Sequence, residues 1–127
     1  LTIIKSLVNQ KGLKTKIVSC PTIREDDGLA MSSRNHLLSK EERAKAIVLY
    51  HALLEAKELI VSTAPIEIEK SISLKFANIE GVDLEYFKIL TTNSFSKTKM
   101  LNRKDKYRAF IACTLGKVRL IDNIILE

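Results

Sequence analysis

The chain has 127 residues, 46% of them hydrophobic, and a formal net charge of +6. That length allows one domain, or one domain with a piece of another, and a mean hydropathy of +0.02 suits a chain that buries a core in water. No apolar run approaches the ~20 residues that cross a bilayer, so no membrane partner is expected; a pI near 9.4 favours anionic partners such as nucleotides, nucleic acid or acidic surfaces.

The chain begins with Leu1 where a gene product would carry Met, which suggests a fragment of something longer. Lys5 interrupts the apolar start and no small-residue cleavage site follows, so no signal peptide is expected and the protein is placed in the cytoplasm. Ile3, Ile4, Leu7 and Val8 repeat at helical spacing, and Gly12 stands where a helix ends. Lys16–Cys20 is short and β-branched and predicts a strand stopped by Pro21. Helix, strand and loop in that order are the second half of a βαβ unit. Cys20 and Cys113 lie in apolar, strand-like runs and read as small buried hydrophobes of a reducing compartment. His36 and His51 are far apart and near no Cys, so no metal site is expected from them.

Residues 21–38 predict a loop. Ser39-Lys-Glu-Glu42 is a capping box, and a long helix should run from it to about Val61, with Ala46, Leu49, Leu53, Ala56 and Ile60 on its apolar face. Ser62-Thr-Ala-Pro65 breaks that helix. A second is predicted from about Ile66 to Ile79, with Ile68, Ile72, Phe76 and Ile79 inward, ended by Gly81. Val82–Thr91 reads as a strand, and Tyr107–Leu115 alternates with Ala109, Ile111 and Cys113 on one face. Gly116-Lys117 is a two-residue hairpin connection with Gly first, and Val118–Ile125 returns as the partner strand.

The loop carries the chemistry. Ser32-Ser33-Arg34 packs two hydroxyls and a guanidinium into three residues, which suits a polyphosphate: short donors, backbone N–H groups and one planar positive fork. The triplet alone is weak evidence, because serines cap helices and arginines decorate surfaces. Asp26 and Asp27 are metal ligands, general bases or turn residues; Asp-Gly is a standard turn pair, which favours the last. Arg24 is expected to clamp one of these two carboxylates, and Asp122 to be structural. Lys97–Arg108 holds six cations against one Asp, yet Tyr107 alone is thin aromatic support for nucleic-acid binding, so a solvated connection before a strand is the plainer reading.

The loop as a whole says more than the triplet. Pro21, Arg24, Asp27, Gly28, Leu29, Ala30, Ser32, Ser33, Arg34 and Asn35 fall at the spacing Pro-x-x-Arg-x-x-Asp-Gly-Leu-Ala-x-Ser-Ser-Arg-Asn. That run resembles the pantoate–β-alanine ligase family, and Leu115-Gly116 followed by Arg119-Leu-Ile-Asp-Asn123 is similar to the family's end. Leu37 departs from the family, which usually carries Tyr there.

The resemblance implies a two-step reaction. Pantoate attacks the α-phosphate of ATP to give pantoyl adenylate and pyrophosphate, and β-alanine then displaces AMP to give pantothenate, with Mg²⁺ required. It implies that Ser32 and Ser33 bind phosphate oxygens and that the catalytic Arg34 neutralises the pyrophosphate side. Met31 would contact the nucleotide through its backbone, and Ile23 would hold the adenine edge through main-chain groups. The family's His-x-Gly-His motif has no match here, so the chain is expected to be the C-terminal portion of the ligase, inactive alone and part of a homodimer when full length, with no nucleic-acid partner.

The fold class implied is α/β (α+β). Residues 1–30 would end a Rossmann-like nucleotide-binding domain and begin the ATP loop. Residues 31–127 would form a small C-terminal lid domain of two helices and a three-stranded antiparallel sheet, hinged near Ala30–Ser33. The rival is a non-catalytic nucleic-acid or protein interaction module resting on the +6 charge and the run at 97–108.

Overall fold

The computed structural model describes residues 1–92, 96–97, 101–102 and 104–126. Its centre is an antiparallel sheet in the order β1-β2-β3: β1 Val82–Thr91, β2 Tyr107–Leu115 and β3 Val118–Leu126. Gly116-Lys117 closes the second pair as a two-residue turn, leaving Leu115 opposite Val118. The turn favours glycine: Gly116 sits in the left-handed region at φ 55°, and a Cβ there would push aside the Glu42 carboxylate. A register shift between Leu84 and Tyr86 marks a bulge in β1.

Alternation along the strands decides which face is covered. Ile89, Ala109, Ile111, Cys113 and Leu120 point to one side and are buried beneath two helices. Helix α3 (Val48–Leu59) packs on β2 and β3, and α4 (Pro65–Phe76) packs on β1. The predicted apolar faces are the buried ones: Ala46, Leu49, Leu53, Ala56 and Ile60, then Ile68, Ile72 and Phe76, with Ile79 packed at the margin. Each fully buried Leu or Ile contributes about 1.5–3 kcal/mol relative to exposure. Glu69 of α4 is buried too, accepting from the Ile89 N–H at 2.8 Å and the Lys88 ammonium at 2.9 Å, so the helix satisfies a donor of an edge strand.

Four sequence expectations need correction. The helix expected from Ser39 to Val61 is stepped: α2 (Lys40–Lys45) and α3 are separated at Ala46 and Ile47. Both residues keep helical dihedrals, and the Leu49 N–H reaches the Ala46 carbonyl in a tighter i→i+3 turn. The next helix ends at Phe76, not Ile79, because its last turn tightens in the same way, with Asn78 and Ile79 bonding back to Lys75 and Phe76. Lys16–Cys20 forms no strand, since no described neighbour supplies a ladder for its backbone groups. Cys20 is exposed there, whereas Cys113 is buried as expected.

Helix α1 (Thr2–Gln10) carries its apolar residues outward, and Lys5 ties it to the downstream segment by donating to the Ser19 hydroxyl at 2.9 Å. Of the basic run, 98–100 and 103 lie outside the described residues. Within the rest, the Tyr107 hydroxyl bonds the Asn102 backbone and Arg108 donates to the Asn123 side chain.

Candidate functional site

Residues 23–31 fold back on themselves. Glu25 accepts from Gly28 and donates to Leu29, both at 2.8 Å, and Met31 donates to Ile23 at 3.0 Å. The turn needs one residue at positive φ, and Gly28 supplies it at 92°. A side chain there would also collide with α3, because a Cβ would lie 2.1 Å from a Tyr50 ring carbon. Asp27 is a turn residue, as expected: it accepts from the Leu29 N–H at 3.2 Å and pairs with Arg43 at 2.6 Å. The Arg43 guanidinium holds the Asp27 carboxyl below its ordinary range, and the carboxylate in turn raises Arg43.

Arg24 does not clamp either of those carboxylates. It crosses to β3 and grips Asp122 with two bonds, 2.6 and 3.1 Å, while also donating to the Gly28 carbonyl at 2.9 Å. Its guanidinium lies 4.3 Å from the centre of the Tyr50 ring. Asp122, expected to be structural, is thus the sheet's attachment point for the hairpin, and Leu29 is buried in the core beside it.

The hairpin delivers the serines. Ser32 is extended and caps a 3₁₀ turn, Ser33–Leu37, by accepting the Arg34 N–H at 3.2 Å. That turn lies against β3. The Arg34 side chain is exposed and reaches the Arg119 carbonyl at 3.5 Å, but pairs with no carboxylate among the described residues. A cavity of about 430 Å³ opens between hairpin, turn and sheet, lined by Met31, Ser32, Arg34 and Asn35 on one side and Arg119–Asn123 on the other. Four of the five predicted site residues therefore converge: Met31, Ser32 and Arg34 line the cavity, and Ser33 stands between them. Ile23 is exposed on the neighbouring strand of the hairpin and reaches the group through its bond with Met31.

Arg119 points elsewhere with its side chain. Its Nε binds both oxygens of Glu85 at 2.8 and 2.9 Å, which lowers the Glu85 pKa and raises its own. A second cavity, about 450 Å³, lies at the other sheet edge between α4 and β1 and gathers no comparable set of donors. Asn35 was missed as a site residue. It is 7% exposed inside an otherwise exposed turn. No periodicity signals such a burial; the residue stands out in sequence only as the last of the motif run.

The sequence comparison matches the description "Pantoate-beta-alanine ligase" over residues 1–125. The chain belongs to the pantoate–β-alanine ligase family. It is 42% identical to the pantothenate synthetase of Flavobacterium psychrophilum over all 127 residues, which make up 45% of that protein. The Coprothermobacter proteolyticus pantothenate synthetase is 39% identical and is again covered over 45% of its length. The chain thus spans under half of these relatives. Among solved structures, the Thermus thermophilus pantothenate synthetase superposes with a TM-score of 0.86 at 30% identity, over 98% of this chain and 45% of that one. The Francisella tularensis pantoate–β-alanine ligase, complexed with "Beta-gamma ATP and Beta-alanine", gives a TM-score of 0.62 at 32% identity over 98% and 38%. The α/β character and three-stranded antiparallel sheet are the shared architecture. No helix is long and apolar enough to cross a membrane among the described residues.

Proposed function

We propose that this chain is the nucleotide-gripping C-terminal portion of a ligase that joins pantoate to β-alanine through pantoyl adenylate. One observation carries the reading: a guanidinium with no carboxylate partner among the described residues, Arg34, stands with Ser32 at the rim of a cavity, on a turn that packs against β3. In the first step a pantoate carboxylate oxygen attacks the α-phosphorus of ATP and the bond to the β-phosphate oxygen breaks. Negative charge grows on the leaving pyrophosphate, where Arg34 stabilises it and the Ser32 and Ser33 hydroxyls donate to phosphate oxygens. In the second step the β-alanine amine attacks the acyl carbon, loses a proton, and AMP departs.

The Met31 N–H donates to the Ile23 carbonyl, and main-chain groups of these two residues would contact the nucleotide, those of Ile23 at the adenine edge. The carboxylates here do not fit a Mg²⁺ site. No group of three metal-ligating side chains occurs among the described residues, and Asp122 is engaged by Arg24. Mg²⁺ would arrive on the triphosphate oxygens instead.

Residues 1–30 would end the nucleotide domain and 31–127 would form the lid; with Arg24 tied to Asp122 and Leu29 in the core under α3, the hairpin at 23–31 would travel with the lid and the hinge would lie before it. The remaining reading is of a cytoplasmic homodimer with no nucleic-acid partner, inactive when cut to this chain. The test joins this chain to the N-terminal portion of the Flavobacterium psychrophilum relative and follows adenylate formation in a single turnover. Arg34→Ala should slow that step by roughly 10²–10³; an unchanged rate would refute the role.

A further inference from the structure

Ser33, Arg34, His36 and Leu37 face solvent from the 3₁₀ turn, while Asn35 turns inward and is 7% exposed. Its amide nitrogen donates to the Ala30 carbonyl at 3.1 Å and to the Glu25 carboxylate at 3.3 Å. Both neighbours only accept, which fixes the orientation of the amide. Its oxygen is then left buried without a donor among the described residues, beside the cavity that Ser32 and Arg34 line. A position needed only to fill space would be apolar. A half-satisfied amide costs stability and persists where it serves another end.

That end lies in the segments the amide joins. Ala30 closes the hairpin that Arg24 ties to Asp122. Asn35 bonds back across residues 31–34 and makes a closed ring of the segment that holds the serines and Arg34. The Arg34 side chain is otherwise held by one long bond to the Arg119 carbonyl. We infer that Asn35 is a positioning residue: it touches no phosphate, and it sets where Ser32, Ser33 and Arg34 present their donors to a nucleoside triphosphate. The inference rests on the ATP reading and assigns the preorganisation of that site to one side chain.

The test is titration of the 127-residue chain with MgATP, followed by amide NMR, with thermal unfolding of every variant. Asn35→Asp keeps the shape but sets a carboxylate against the Ala30 carbonyl and Glu25. ATP affinity should fall about tenfold, the loss of roughly one such interaction, with the shifts of α3 and β2 unmoved. Adding Glu25→Gln supplies an amide that donates to the new carboxylate and should recover most of that affinity. If Asn35→Asp does not fold, Asn35→Ala carries the same tenfold prediction without added charge. Wild-type affinity in Asn35→Asp, alongside lost affinity in Arg34→Ala, would overturn this inference and leave the ATP reading standing. Failure of Glu25→Gln to restore binding would also overturn it. No response of the wild-type chain to millimolar MgATP would bring down the ATP reading and this inference together.

Discussion

Replacing Arg24 with alanine probes the joint between the hairpin and the sheet. Asp122 has a side chain only 3% exposed, and Arg24 supplies two of its hydrogen bonds. Removing one partner of a buried pair costs about 3–5 kcal/mol, because the other charge stays buried. Asp122 keeps the Asn123 N–H at 2.7 Å, so the lower end applies, about 3 kcal/mol. A domain holds only about 5–15 kcal/mol in total, so the loss should be plain in urea unfolding followed by circular dichroism. Asp122→Asn removes the stranded charge, so Arg24→Ala should cost less in that background than in the wild type. A loss below about 1 kcal/mol, the yield of an exposed pair, would show that the joint does not hold the hairpin.

The same geometry sets three further outcomes. Gly28→Ala combines a φ of 92° with a Cβ 2.1 Å from Tyr50, and should destabilise by at least about 1–3 kcal/mol; an equal cost in a Tyr50→Ala background would refute the close approach. The folded Asp27 carboxyl lies below its unfolded value, so its contribution is complete above pH about 4. That contribution is lost as pH falls through the folded value, and Asp27→Asn should flatten this part of the urea-midpoint profile; an identical profile would contradict the Arg43 pairing. Burial pushes the Cys113 thiol up to about 12 while Cys20 is exposed. Iodoacetamide should therefore label Cys20 in the native chain and Cys113 only after unfolding, and early labelling of Cys113 would argue against the buried β2.

The elements legible in sequence were those set by local chemistry. The Ser39–Glu42 capping box forms with both reciprocal bonds. The Gly116 turn and the alternation of β2 fixed the hairpin register, and the serines and Arg34 came together because they are neighbours in sequence. What local chemistry could not reveal was the long-range joint. Arg24 and Asp122 stand 98 residues apart, and two nearer aspartates offered themselves as partners. The approach of Tyr50 to Gly28 and the burial of Asn35 likewise depend on how the hairpin seats on α3 and β3. The strand expected at 16–20 failed for the opposite reason: its composition suits a strand, but pairing needs a neighbour that composition does not supply.

The amide spectrum of this chain under MgATP titration shows where the triphosphate is held. Shifts are predicted at Met31–Arg34 and along Arg119–Asn123, lost in Arg34→Ala, with the α4–β1 cavity silent. Shifts centred on Lys97–Arg108 that survive Arg34→Ala would contradict the account and favour a diffuse basic surface.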